Sequence, residues 1–245
     1  MRSLLIAPAD EQRLAEALNS GADAIIVDLG QAAPATRDAA ARFLKETRSQ
    51  GGGPALIVRI HALDSGETDA DLDAVMPSAP DAILLPGSLG APSVQQLSAK
   101  LAVREAEFDL PDGETRIIAV ADTAQSLFHM GTYRGSSGRL IAVAWSAESL
   151  RADIGAETDR DRLGEALGPY RLARELALLA ATSARVAAID TAFLNIRDLE
   201  GLRAEALAAR RDGFIGKIAL DPAQVGVIND VFPSRSLPVE KESPS

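Results

Sequence analysis

The chain has 245 residues, 47% of them apolar but only 4% aromatic, with a formal charge of −10 and no cysteine. This length fits one large domain with an aliphatic core, the negative charge argues against nucleic acid and anionic membrane surfaces as partners, and the scarcity of aromatics argues against a base-stacking platform. The absence of cysteine rules out disulfides, thiolate chemistry and sulfur-ligated metals, and the two histidines, His61 and His129, exclude a histidine-rich metal site.

Along the chain, short aliphatic runs alternate with amphipathic, Ala- and Arg-rich stretches. The expected order opens with a strand at 3–8, a helix at 10–20, a strand at 24–29, a helix at 36–48 and strands at 55–60 and 82–86. A helix at 92–104, strands at 116–122 and 139–146, and a helix at 165–185 come next. A strand at 186–191, a helix at 198–211, a strand at 215–220 and a helix at 222–230 complete it. Each of the eight strand runs is nearly continuous in apolar residues, the pattern of strands buried on both faces. Alternating strand and helix units favour a parallel sheet, and eight of them favour a single (β/α)8 TIM barrel over residues 1–232. QGGGP at 50–54 and DLPDGET at 109–115 read as loops rather than linkers, and residues 233–245 read as a polar tail. The N-terminal apolar run is too short for a signal peptide, and no run is long enough to cross a bilayer, so the expected location is cytoplasmic.

A barrel gathers its active site at the C-terminal ends of its strands. That rule selects Asp10, Asp28, Arg59 with His61, Pro86-Gly87-Ser88, Asp122 with Thr123, the stretch Trp145 to Ser149, Asp190 and Asp221. Carboxylates without imidazole or thiolate partners suit a hard cation such as Mg²⁺, and a guanidinium suits a carboxylate or phosphate gripped at two points. Each choice has a structural alternative. Asp28 could cap a turn, Asp122 could cap the helix after strand five, and Glu148 could be a first-turn carboxylate favoured by the helix dipole. Asp190 could bind a backbone amide or form a salt bridge inside the barrel, and Asp221 before Pro222 has the pattern of an N-cap. His129 reads as a surface or packed residue, and Trp145 could line the mouth or fill the core.

The stretch 188–230, AIDTAFLNIRDLEGLRAEALAARRDGFIGKIALDPAQVGVIND, together with RSLLIAPAD, SGADAIIVDL and VRIHALDS, closely resembles the citrate lyase beta-subunit and malyl-CoA lyase family of the HpcH/HpaI aldolase superfamily. The resemblance runs from residue 2 to about residue 232. It implies that Arg59 holds a substrate carboxylate or carbonyl. It implies that a glutamate and an aspartate hold Mg²⁺ at the positions of Asp122 and Ser149, so that here Asp122 would hold the ion with help from Ser149 or Glu148 through water, and that backbone amides near Ala147 and Glu148 bind an oxyanion. This chain departs from the family at Gly30-Gln31, Gly87, Ser149, Asn195 and Asp221, and at Asp122, which is one methylene short. The implied activity is a carbon–carbon lyase acting on a hydroxyacyl thioester, of CoA or a carrier protein, or on a small oxo acid. Mg²⁺ would be held weakly or with help from the substrate. The alternative is a catalytically reduced barrel that binds acyl-CoA or a protein partner as an accessory subunit. A homo-oligomer, trimer or hexamer, is implied by the same resemblance.

Overall fold

A computed structural model describes residues 1–30, 36–162 and 164–233 of the chain. Gln31 and nearly all of the expected polar tail lie outside the described residues. Eight parallel strands close into a barrel in sequence order: β1 Ser3–Pro8, β2 Ala24–Asp28, β3 Ala55–Arg59, β4 Ala82–Leu85, β5 Arg116–Ala121, β6 Leu140–Trp145, β7 Ala187–Asp190 and β8 Gly216–Ala219. Around them run α1 Glu11–Leu18, α2 Thr36–Ser49, α3 Thr68–Val75, α4 Ala91–Glu107, α5 Ala124–His129, α6 Ala147–Ile154, α7 Gly168–Ala184, α8 Leu199–Asp212 and α9 Pro222–Val231. The expected fold class, an eight-stranded α/β barrel, is the one observed.

The continuous apolar runs follow from this double burial. Leu4, Ile26, Ile57, Leu84, Ile118 and Ile189 belong to a cluster made of strand residues, which fills the barrel interior. Their neighbours Leu5, Ile25, Val58 and Ile83 join a larger cluster with the helices. Side chains alternate across a strand, so this parity settles which strand-end residues face the mouth and which face the helix layer. By it, Asp28, Arg59, Asp122 and Ser146 fall on the barrel side, and Trp145, Asp190 and Lys217 on the helix side.

Helix ends obey local chemistry. Asp198 accepts from the Gly201 amide to start α8, and Asp221 accepts from Ala223 ahead of Pro222 to start α9. On α7, Ala173, Ala177, Ala180 and Ala181 form the buried stripe, so small side chains let this helix lie close to the sheet. The helices α3, α5 and α6 were not named among the expected elements. They have 8, 6 and 8 residues, too few for a periodic pattern to stand out, and α5 and α6 are announced only by the caps Thr123 and Ser146. β8 closes against β1 through Gly216, where an added Cβ would lie 2.6 Å from the Arg2 carbonyl oxygen. Only glycine permits that approach. No helix of the described residues is long and apolar enough to cross a membrane.

Candidate active site

The register of β2 against β3 pairs Asp28 with Arg59. Their side chains therefore meet at the mouth, with Arg59 Nη1 3.2 Å from Asp28 Oδ2. Both are about four-fifths buried. Asp28 Oδ1 also accepts from the Gly30 amide at 2.9 Å, so it caps the turn and positions the guanidinium together. A Cβ on Gly30 would lie 3.1 Å from Arg59 Nε and from the Ile60 carbonyl oxygen, so glycine leaves Arg59 room.

Asp122 stands one residue beyond β5 and is 6% exposed. It does not cap α5. Thr123 does so, accepting from the Ser126 amide in a reciprocal capping box. Asp122 Oδ1 instead accepts from the Gly87 amide at 2.9 Å. Gly87 takes a left-handed φ of +60°, which a residue with a side chain would adopt only with strain. Burial pushes the Asp122 carboxyl up to about 6, with the Asp153 charge adding to it and the Gly87 amide and Arg59 charge opposing it.

Ser149 lies in the first turn of α6, where its amide donates to the Ser146 hydroxyl at 3.2 Å and its own hydroxyl accepts from that group at 3.0 Å. One turn on, Asp153 Oδ2 accepts from the Ala124 amide at 2.7 Å, which turns this face of α6 toward the end of β5. Glu148, the neighbour of Ser149, is exposed, and it is the first-turn acid expected from the helix dipole. Ala147 needs a correction. Its amide, read from the sequence as an oxyanion donor, donates to Thr191 Oγ1 at 3.1 Å, so that donor is already occupied.

Asp190 also departs from expectation. It does form a salt bridge, but on the helix side of the barrel rather than inside it. Lys217 Nζ lies 2.9 Å from Asp190 Oδ2 and 2.7 Å from Glu205 Oε1, and Trp145 Nε1 donates to Asp190 Oδ1 at 2.9 Å. Burial works against the Asp190 charge, but Lys217 and Arg174 outweigh it and hold the carboxyl below the usual range. Trp145 is thus a core residue that anchors this carboxylate. Asp221 is the N-cap of α9, and His129 is exposed at the end of α5, with its ring Nδ1 at 2.8 Å from the Gln125 carbonyl oxygen.

Sequence reasoning missed two partners of the strand-end residues. Asp153 loads negative charge onto Asp122, and Asp71 holds His61. Asp71 sits on α3, which no cap announces, and Asp153 near the end of α6, of which only the start is announced, so neither had a signal by spacing.

The HpcH/HpaI aldolase/citrate lyase family model matches residues 2–222. The chain belongs to that family. It is 33% identical over 225 residues to the citrate lyase subunit beta of Leuconostoc mesenteroides subsp. cremoris, covering 91% of this chain and 72% of that one. It is also 33% identical over 235 residues to a (3S)-malyl-CoA thioesterase of Cereibacter sphaeroides, covering 94% and 76%. Among solved structures, the CitE protein of Mycobacterium tuberculosis in complex with magnesium, acetoacetate and coenzyme A superposes with a TM-score of 0.79 at 29% identity, covering 95% of this chain and 81% of that one.

For an HpcH/HpaI-family barrel the donor set at this mouth fits Mg²⁺ poorly. The ion needs near-octahedral oxygen donors and carboxylate charge to replace its tightly held water. Among the described residues no cluster of three carboxylate or imidazole groups could hold a metal. Asp122 offers one carboxylate with raised proton affinity, Asp28 is taken by Arg59, and Ser149 offers a hydroxyl already hydrogen-bonded to Ser146.

Proposed function

We propose that this barrel is a carbon–carbon lyase of the citrate lyase beta-subunit type, acting on a hydroxyacyl thioester or a small oxo acid. The observation that carries the reading is Arg59, a guanidinium held by Asp28 at the barrel mouth beside Asp122. Arg59 grips the substrate carboxylate or carbonyl, and negative charge that develops on that oxygen as the carbon–carbon bond breaks is stabilised by the same guanidinium. Asp122, poised near neutrality, can hold or release a proton there. Substrate entry places the substrate's own oxygens near Asp122 and Ser149. Mg²⁺, where it takes part, is weakly bound and depends on those oxygens, and the chemistry it supplies is polarisation of a carbonyl. The amide of Glu148 remains the candidate oxyanion donor of the α6 turn. Names of relatives support a thioester of CoA and a short dicarboxylic or oxo acid as the substrate class, and a cytoplasmic homo-oligomer, trimer or hexamer, is the expected form.

The second reading is an accessory barrel that binds acyl-CoA or a protein partner without turnover. Ser149 favours it, because a hydroxyl replaces a charged ligand at the position the family uses for metal. One experiment separates the two readings. Malyl-, citramalyl- and citryl-CoA and other hydroxyacyl thioesters are incubated with the protein and Mg²⁺, and free CoA and 2-oxo acid are followed separately. The lyase reading expects slow cleavage of some thioester with oxo acid released, and the accessory reading expects binding with no product. Release of CoA alone would mark a thioesterase and displace both. Arg59→Ala should weaken pyruvate binding by about tenfold to a hundredfold in protein that remains folded, since a charge-assisted contact is worth roughly 1.5–3 kcal/mol. Unchanged affinity would move the site elsewhere.

A further inference from the structure

We propose that His61 is the residue that takes and returns the α-carbon proton at this mouth, with Asp71 as its positioning residue; the inference rests on the reading that the mouth takes an oxo acid or acyl thioester.

His61 stands two residues beyond Arg59. Its main-chain amide and its ring Nδ1 both lie 2.8 Å from Oδ2 of Asp71, on α3. The Asp71 side chain is fully buried, and its other oxygen accepts from Arg37 Nε at 2.8 Å. Arg37, on α2, is held in turn by Glu67 at 2.5 Å. Asp71 is therefore an acceptor in each of these contacts, committed to a guanidinium, an amide and a ring nitrogen. The ring nitrogen that faces it carries the hydrogen, and in the neutral ring the lone pair is left on Nε2.

Nε2 is the ring nitrogen that Asp71 does not engage. It makes no hydrogen bond among the described residues, and the side chain keeps 17% of its surface open. Ala62, next in the chain, packs at 3.8 Å from where a Gly87 Cβ would stand, and the Gly87 amide holds Asp122. One rim thus carries Arg59, His61 and Asp122. The charged groups that face the ring from the helix side are Asp71 and, through it, Arg37 and Glu67; Arg59 with Asp28 stands two residues back along the chain, and Asp122 is held by the Gly87 amide beside Ala62. A histidine kept only for packing has no need of a buried carboxylate that fixes its tautomer. A carboxylate that fixes the tautomer and a ring nitrogen left open are what an orienting carboxylate gives a general acid–base histidine.

The step balances without a co-reactant. In the enolising direction, the α-carbon proton of the bound oxo acid or acyl group passes to Nε2. The C–H electron pair becomes the carbon–carbon double bond of an enolate, and the negative charge rests on its oxygen beside Arg59. In the cleavage direction, neutral Nε2 takes the proton of the substrate hydroxyl, whose O–H pair becomes the carbonyl of the departing oxo acid while the breaking carbon–carbon bond leaves its pair on the same enolate, and the imidazolium then gives that proton to the α-carbon.

Enolisation can be read without cleavage. Pyruvate, and separately acetyl-CoA, is incubated with the protein in D₂O, and loss of the methyl proton signal is followed by NMR. Pyruvate and acetyl-CoA affinities are measured in parallel by calorimetry. The wild-type protein should exchange the methyl protons. His61→Gln should slow exchange by at least about a hundredfold, the low end of general acid–base contributions, with pyruvate affinity within about twofold and an unchanged melting temperature. His61→Asn should agree with it. Asp71→Asn should shift the pH midpoint of exchange, which a residue that only packs would not do. Undiminished exchange in His61→Gln, or no wild-type exchange despite pyruvate binding, overturns the role of His61 while leaving the substrate class standing. Failure of both pyruvate and acetyl-CoA to bind the wild-type protein overturns the substrate class, and the role of His61 with it.

Discussion

Asp122 is a carboxylate placed where water cannot reach it well, and its proton affinity follows. Its folded value of about 6 lies above the unfolded 3.8. The folded state therefore binds a proton more tightly than the unfolded chain. The stability this contributes is fully present below pH 3.8 and is lost as pH rises through 6. A difference of about two units corresponds to roughly 3 kcal/mol. Asp122→Asn cannot titrate, so its melting temperature relative to the wild type should rise between pH 4 and pH 8, by roughly 5–10 °C for a chain of this size. A difference that stays constant across that range would mean the carboxyl is not desolvated. Ser149 gives the second test at this scale. The wild-type protein should bind Mg²⁺ with a dissociation constant in the millimolar range, about −4 kcal/mol, and Ser149→Asp should tighten it by tenfold or more, because a charged donor returns. Calorimetry showing low-micromolar Mg²⁺ binding by the unaltered protein would refute this account of the mouth.

At the scale of elements, the wall between β7, β8 and the helices outside them is held by charge. Lys217 is fully buried on β8 and touches Asp190 of β7 and Glu205 of α8. Arg174 of α7 reaches Asp190 at 3.4 Å and Asp212 at 2.7 Å, and its guanidinium lies 4.9 Å from the centre of the Phe214 ring. This network joins two strands and two helices that the sequence separates. Removing one member leaves the others buried without a counter-charge, which costs more than the pair itself is worth. Lys217→Met should lower stability by about 3–5 kcal/mol in urea unfolding, and adding Asp190→Asn should restore part of that loss. Wild-type stability in the single variant would show that water or a rearrangement already compensates for Asp190.

For the whole molecule, the decisive contact is the seam between the first and last strands. β1 and β8 share three register pairs, and Gly216 brings their backbones together. A Cβ at 216 meets backbone oxygens of Arg2 and Met1 at 2.6 and 2.7 Å, and backbone cannot turn aside as a side chain can. Gly216→Ala should therefore lower the melting temperature by roughly 10 °C or more, since it strains the closure on which every strand depends. A wild-type melting curve for this variant would mean that the seam opens and recloses at little cost.

The sequence by itself determined the eight strands, their parallel order and the barrel, because unbroken aliphatic runs can be buried only between two layers. It also determined the helix starts at Asp198 and Asp221, where a cap is a contact between residues two or three apart. The same unbroken runs carry no alternation, so they cannot say which face of a strand looks into the barrel. Only the tertiary register decided that Arg59 and Asp122 face the mouth while Asp190 faces the helices and needs Lys217. Helices of six or eight residues hide their periodicity, so the meeting of His61 with Asp71, ten residues on, and the pairing of Ala147 with Thr191, forty-four residues on, became visible only when the chain closed on itself.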